Sequence, residues 1–459
     1  MTGNNTLVNE TLASETILMP TLKQAFWYWL KLGFVSFGGP AGQISIMHQD
    51  LVESKRWISE KRFLHALNYC MVLPGPEAQQ LAIYIGWLMH RTWGGIVAGG
   101  LFVLPSLLIL TGLSYIYMRF GSLPAIAGIL YGIKPAIVAI VLFAAYRIGL
   151  RALKNKLLWS VAFASFVAIA VLKLPFPIIV LTAALIGLLV HHFKPALLAD
   201  RAGHQASKKH YGSALIDNDT PPPAHAIFNF KKMIRLIAIG VSIWLISMLL
   251  IILYFGMDAT LTHMGWFFTK AALLTFGGAY AVLPYVFQGA VGHYSWLTAP
   301  QMMDGLALGE TTPGPLIMVV TFVGFVGGWT QPFIGADSMF LSAIIAACVV
   351  TFFTFLPSFI FILVGAPFIE STHNNLKLTA PLSAITAAVV GVIISLALFF
   401  ATHIFWPNGI AANNMLANID WFAFAATLLA ALLLFKFKFG TIKLIGIFAL
   451  IGLLHHVLI

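Results

Sequence analysis

Two stretches decide the fold: FVSFGGPAGQISIMH at residues 34–48 and TFGGAYAVLP at residues 275–284. In each, an apolar run is interrupted by Phe-Gly-Gly, at Phe37-Gly38-Gly39 and at Phe276-Gly277-Gly278, an offset of 239. A second break recurs at the same offset, Pro74-Gly75-Pro76 with Pro313-Gly314-Pro315. Lys31 with Lys270 and Trp57 with Trp296 share it too. Further on, Pro105-Ser106 matches Pro357-Ser358 at an offset of 252, so about thirteen residues enter between. One offset shared by four separate features makes the chain two homologous halves.

The runs around these breaks are long and continuous. Apolar segments fall near 24–47, 63–89, 95–118, 123–149, 157–172 and 176–193, then, after a lone segment at 233–255, near 263–290, 301–329, 338–363, 378–402, 417–435 and 440–459. Most are long enough to span ~30 Å of hydrocarbon; 157–172 and 176–193 are marginal. Composition agrees: 60% of the 459 residues are hydrophobic, only 9% are charged, and the mean hydropathy is +0.92. Soluble domains carry about 25% charged residues, and disorder needs low hydrophobicity, so both classes are excluded. An outer-membrane barrel would show short alternating segments instead. The expected fold is an all-α polytopic membrane protein.

Each half has six segments, and the lone segment stands between them. An even-numbered half followed by one linking helix inverts the second half relative to the first. Inverted repeats of this kind are a hallmark of secondary transporters. The expected organisation is a polar tail at 1–22, a first repeat at 23–193, a solvated cytoplasmic linker at 194–232 containing Pro221-Pro222-Pro223, a linking helix at 233–255 and a second repeat at 262–459.

Charge sets the orientation. The 26 Lys and Arg against 15 Asp and Glu reflect basic cytoplasmic loops rather than nucleic-acid binding. If every segment crosses, the N-terminal side carries 17 basic residues and the other side six. If the segments broken by Gly-Gly-Pro and Pro-Gly-Pro re-enter, the count becomes 21 against two. Both place the N-terminus in the cytoplasm, and the second favours re-entrant elements. The polar first twenty residues lack a signal peptide's basic and apolar regions. Cys70 and Cys348 form neither a disulfide framework nor a metal-ligand spacing, and no cofactor motif is present.

Gly38, Gly39 and Pro40, with Gly277 and Gly278, break helices at membrane depth. Such backbone survives only against protein or a wet cavity, and a helix restarting there points its amides and positive dipole end at an anion. The bland alternative is a kink for close packing. Pro76 and Pro315 are expected to open new half-helices in the first turn. Glu77 and Glu310 flank the Pro-Gly-Pro breaks. An ionisable residue at this depth is a functional candidate, here a proton carrier, although Glu77 could instead cap a helix or pair with a base. Lys31 and Lys270 either lend a cation to the anion site or snorkel to the interface. Lys134 precedes Pro135 in mid-segment.

These motifs, with LPGPEAQQLAIYIGW at 73–87 and ETTPGPL at 310–316, resemble the chromate ion transporter family in its long-chain form. The resemblance covers about 22–150 and 262–402. It implies an inner-membrane carrier that exports chromate, confers chromate resistance and is kin to sulfate transport. It marks Gly38, Gly39, Pro40, Pro74, Gly75, Pro76 and Glu77 as signature positions; where Glu310 stands, Gln is usual in the family. The expected partners are a chromate- or sulfate-like dianion and the lipid bilayer, with no nucleic acid, and a homodimer is allowed for. The alternatives are a sulfate or general oxyanion carrier, an anion channel and, least of all, a membrane-embedded enzyme, since neither Glu77 nor Glu310 has a His partner at helical spacing.

Overall fold

The structure is a computed structural model and describes residues 19–193, 212–218, 220–221, 223–276, 278–371, 379–407, 409 and 418–458. The first half contains α1 (Leu22–Val35), α2 (Gly39–His48) continued by a π-helical turn (Gln49–Ser54), α3 (Glu60–Cys70), α4 (Glu77–Phe120), α5 (Pro124–Ala152), α6 (Lys156–Ala170) and α7 (Phe176–Phe193). After α8 (Phe230–Phe255) the second half follows. It has α9 (Thr260–Leu273), α10 (Ala279–Phe287) with its own π-helical turn (Gln288–His293), and α11 (Ala299–Thr311). A 3₁₀ turn (Leu316–Met318) leads into α12 (Val319–Thr330), followed by α13 (Met339–Ser371), α14 (Thr379–Phe405), α15 (Trp421–Phe435) and α16 (Thr441–Leu458).

The sequence repeat is therefore a repeat of elements. The two π-helical turns begin at 49 and 288, and α3 and α11 at 60 and 299, again 239 apart. Inside α4 the backbone leaves helical geometry at His90 and Arg91 (φ −129° and +57°), which matches the gap between α12 and α13.

Among the described residues six helices are long and apolar enough to cross a membrane: α4, α5, α7, α8, α13 and α14. The stretches 24–47, 63–89, 263–290 and 301–329 are broken, as the glycines and prolines in and beside them predict. Each contains two short helices meeting at a break. At 1.5 Å per residue, 14-residue α1 reaches only ~21 Å, too short to cross. His90 Nε2 lies 2.8 Å from the Pro20 carbonyl, so the first leg of α4 ends beside the start of α1. In the second half Thr260 and the Tyr294 carbonyl both meet Gln331, at 3.1 and 3.3 Å, so α12 likewise ends beside the start of α9. In both halves the short helices dip inward and return to the same end.

The halves interlock. α5 packs against α15 and α16, and α14 against α6 and α7. Glycine makes these crossings close, with Gly128 and Gly132 of α5 directly against Gly452 of α16 and Gly391 of α14 against Ala162 of α6.

Part of the linker is docked on the first repeat. The linker's first part lies outside the described residues, but the described residues from 212 to 226 form a strap against the first repeat. Leu215 and Ile216 donate to the carbonyls of Arg56 and Trp57 at 2.9 and 3.1 Å, and Ser59 N–H donates back to Ile216 at 3.0 Å. Arg62 Nη2 donates to the Thr220 carbonyl at 2.6 Å. Ile216 and Ala226 are buried.

Candidate substrate-binding site

The breaks of the two halves meet. The Gly75 N–H of the first Pro-Gly-Pro donates to the Thr275 carbonyl at the second Phe-Gly-Gly, at 2.7 Å. The Gly314 N–H of the second donates to the Ser36 carbonyl at the first, also at 2.7 Å. Thr275 and Ser36 are 239 apart, so these are two copies of one crossed contact. Gln43 of α2 adds to it, its amide donating to the Gly314 carbonyl and, at 3.4 Å, to that of Ser36.

A second crossed pair braces the first. Ser106 follows Pro105 in the long leg of α4, and its hydroxyl donates to the Pro313 carbonyl. Its repeat mate Ser358 follows Pro357 in α13 and sits 3.5 Å from Gln80 Nε2, which donates to the Pro74 carbonyl at 2.8 Å. The prolines have their own part. Pro105 removes an N–H and so frees the Leu101 carbonyl, which lies against Gly33 of α1, where a side chain could not fit. Read as sequence, the Pro-Ser pairs mark only the repeat; in the fold they hold each break to the opposite half.

Four helices restart at this cluster. Gly38 caps α2, Pro76 caps α4, Gly278 caps α10, and Pro315 caps the turn that leads into α12. Pro76 and Pro315 thus stand one position before the expected first turn. The first amides of a helix have no intrahelical acceptor, and four such ends concentrate positive potential at one place. Gln79, one turn into α4, is fully buried, and neither atom of its amide has a partner among the described residues; Ser36 Oγ and Gln80 Oε1 are also unpartnered. Buried polar groups are normally bonded, so this set suits a polar ligand. Glu310 is buried and accepts from the hydroxyl of Tyr280, the second residue of α10. Glu77 is the first residue of α4, and Arg151 lies within its electrostatic reach.

Of the residues singled out by sequence, the breaks at Gly38-Gly39-Pro40, Pro74-Gly75-Pro76, Gly278 and Pro313-Gly314-Pro315 belong to this cluster; Gly277 lies outside the described residues. The paired lysines do not join it. Lys31 is exposed on α1, and Lys270 holds its ammonium 5.8 Å from the centre of the Trp266 ring. Among the described residues neither makes a hydrogen bond or ion pair. A basic residue's place in an apolar run does not tell which face of the helix it occupies. A partly buried lysine that does meet an acid is Lys134, 3.5 Å from Oδ1 of the buried Asp304, whose Oδ2 accepts from Tyr117 at 2.9 Å. Asp304 went unrecognised, although a lone acid six residues before Glu310 in an apolar helix is itself a signal. Also unforeseen is the pinning of α13: Glu370 accepts from Tyr84 and lies 3.8 Å from Arg62 Nη1.

Comparison with known proteins agrees with this arrangement of halves. A family model described as chromate transporter matches residues 23–188 and 262–453. The chain is 30% identical to a chromate transport protein of Cupriavidus metallidurans over 447 residues, 95% of each chain. It is 33% identical to a chromate transport protein of Pseudomonas aeruginosa over 81% of this chain and 79% of that one. A probable chromate transport protein of Synechococcus elongatus is 28% identical over 81% and 83%. No solved structure matches the chain significantly.

Proposed function

Since the chain belongs to the chromate transporter family, we propose that it is a secondary carrier that exports chromate across the inner (plasma) membrane and so confers chromate resistance. The observation that carries this reading is the crossed bonding of Gly75 to Thr275 and Gly314 to Ser36. It joins two copies of one broken-helix unit around a single set of helix N-termini. In this reading the repeats 23–193 and 262–459 are inverted in the bilayer, α8 links them, and the short broken helices re-enter. The N-terminus is cytoplasmic. The substrate binds between the breaks at Gly38-Gly39-Pro40, Pro74-Gly75-Pro76, Gly277-Gly278 and Pro313-Gly314-Pro315. Lys31 and Lys270 are left out of the site, and no catalytic residue or cofactor is invoked.

The direction follows from charge. Chromate is largely a dianion at neutral pH. Expelling each charge from an interior-negative cell gains ~2.3 kcal/mol per 100 mV, so two charges give roughly 4–5 kcal/mol, enough for a gradient above a thousandfold. Glu77 and Glu310 are the groups we assign to proton coupling.

Sulfate is the second reading, favoured by one feature. The donors at the cluster are backbone amides and neutral glutamine side chains, which distinguish tetrahedral dianions weakly. The test is chromate uptake into inside-out vesicles under an imposed potential, with sulfate as competitor. Saturable, potential-driven accumulation weakly inhibited by sulfate supports the chromate exporter. Equal competition makes it a general oxyanion carrier, linear non-saturating flux a channel, and no flux of either anion refutes the proposal.

A further inference from the structure

The two halves carry the same breaks but not the same packing around them. α10 lies along α14, with the Phe287 ring 4.6 Å from Phe399 and 5.8 Å from Phe400, and most of its residues are buried. Its counterpart α2 makes no comparable contact with α5, and of its ten residues only Gln43 and Met47 are buried. α10 is thus covered by α14, whereas most of α2 is left partly exposed.

The residues equivalent to the α10–α14 contact also differ. At the offset of 252 that pairs Pro105 with Pro357, Phe399 and His403 of α14 correspond to Arg147 and Arg151 of α5. The two arginines are one turn apart, so they share a face. Both are exposed, and among the described residues neither has an acidic partner within ion-pair distance; Arg147 rests 5.9 Å from the Phe143 ring. Arg151 is within electrostatic reach of Glu77 and Arg147 of Tyr280, so the pair addresses the restarted helices of both halves.

We propose that Arg147 and Arg151, exposed near the end of α5, form a capture site for the dianionic substrate, from which the anion passes to the amides at the breaks. This rests on the carrier reading above. A guanidinium fork matches two oxygens of a tetrahedral oxyanion, and two of them match its two charges. At an exposed site such charges raise the local anion concentration and speed its arrival, an effect that salt screens. The opposite end, with phenylalanine and histidine at the equivalent positions, has less to hold the anion back. The general excess of bases at cytoplasmic helix ends accounts for basic residues here, but not for a partnerless pair within reach of both breaks. Exposed Lys156, at the start of α6, supplies the comparison.

The test compares the full chain with Arg147→Gln/Arg151→Gln, Arg147→Lys/Arg151→Lys and Lys156→Gln for initial chromate uptake into inside-out vesicles at low and high salt. The glutamine pair is expected to raise the half-saturating chromate concentration about tenfold, with the maximal rate kept within about twofold and the salt dependence flattened. The lysine pair keeps the salt dependence, and Lys156→Gln behaves as the unaltered chain. Three results overturn the capture site: an unchanged half-saturation in the glutamine pair, a fall only in maximal rate or inserted protein, or an equal effect from Lys156→Gln. Titration of the detergent-solubilised proteins with chromate and with sulfate separates the two claims. A chain that binds a dianion through the arginines without moving it overturns the carrier reading alone. One that binds neither anion overturns both.

Discussion

Gly314→Ala tests the crossed cluster at its tightest point. Gly314 has φ +97°, a backbone conformation that an L-residue holds only at a cost of about 1–3 kcal/mol. An added Cβ would collide with Ser106 Oγ and stand 3.1 Å from Ser106 Cβ, so a change of rotamer alone does not relieve it. Ser106 must withdraw and leave the Pro313 carbonyl, and a buried acceptor left unpaired costs about 1–3 kcal/mol. The two together disfavour the assembled cluster by ~3–4 kcal/mol. With tenfold for every 1.4 kcal/mol, transport per inserted molecule falls by about two to three orders of magnitude. Uptake into inside-out vesicles, normalised to inserted protein by a fluorescent tag, reads this directly. Ser106→Gly in the same chain removes the collision but leaves both the strain at φ and the Pro313 carbonyl unpaired, and is therefore expected to keep uptake at the same low level. Gly75→Ala, which meets Ser358 Oγ and Gln80 Nε2 in the other half, falls in the same range. A Gly314→Ala chain that transports within twofold of the unaltered one refutes the reasoning.

Gly39→Val and Pro76→Ala are expected to abolish uptake while leaving the protein in the membrane, and near-normal flux from both sinks the broken-helix site. Lys134→Met leaves Asp304 buried without its cation and lowers stability by about 3–5 kcal/mol; Lys134→Met/Asp304→Asn recovers most of it, as seen in thermal unfolding in detergent. If Glu77 carries the coupled proton, Glu77→Gln keeps uptake driven by potential but loses its response to an imposed pH gradient; a response equal to that of the unaltered chain removes Glu77 from that role. Burial pushes the His225 imidazole of the strap below its ordinary 6.5, and Lys232 and Arg91 act in the same sense, against the hydrogen bond to Trp87 and the Glu370 charge. The docked strap therefore binds fewer protons than the released one. Docking is full above about pH 6.5 and weakens below it. Hydrogen exchange over 212–226, corrected for intrinsic rates, should be faster at pH 5.5 than at 7.5, and equal protection contradicts this.

What could be read in the sequence was what the backbone dictates. Glycine and proline leave the same mark wherever a helix must stop, so Phe37-Gly38-Gly39 and Pro74-Gly75-Pro76, repeated at one offset, disclosed the halves and their breaks before any contact was known. The cross-bracing was not legible. A bond from Gly314 to Ser36, or from Gln43 to Gly314, joins residues hundreds of positions apart and imposes no period on either stretch. The lysines stayed undecided for a related reason. The repeat pairs Lys31 with Lys270, yet the lysine that meets a buried acid is Lys134, whose partner Asp304 lies in the other half. The docking of part of the linker was hidden by composition, because Ile216 and Ala226 are two buried apolar residues among polar neighbours.

Symmetry and its breach divide between backbone and side chains, and that division bears on how a carrier built this way acquires direction. A carrier that alternates between two states needs them within a few kcal/mol of each other. Two copies of one set of joints supply this, because the bonds lost at one end can be remade in equivalent form at the other. The crossed pairs Gly75 with Thr275 and Gly314 with Ser36 are backbone contacts and obey the repeat. The groups that meet the substrate's path do not. Phe287 and Phe399 close one end as an apolar contact, while their counterparts His48 and Arg147 leave the other end polar. Symmetric joints keep both states accessible, and asymmetric charge decides which end captures the anion. Reversing the charge bias with Arg147→Phe/Arg151→His and Phe399→Arg/His403→Arg in one chain should therefore weaken uptake into inside-out vesicles and strengthen it into right-side-out ones, with the joints untouched. Equal changes in both directions place the bias elsewhere.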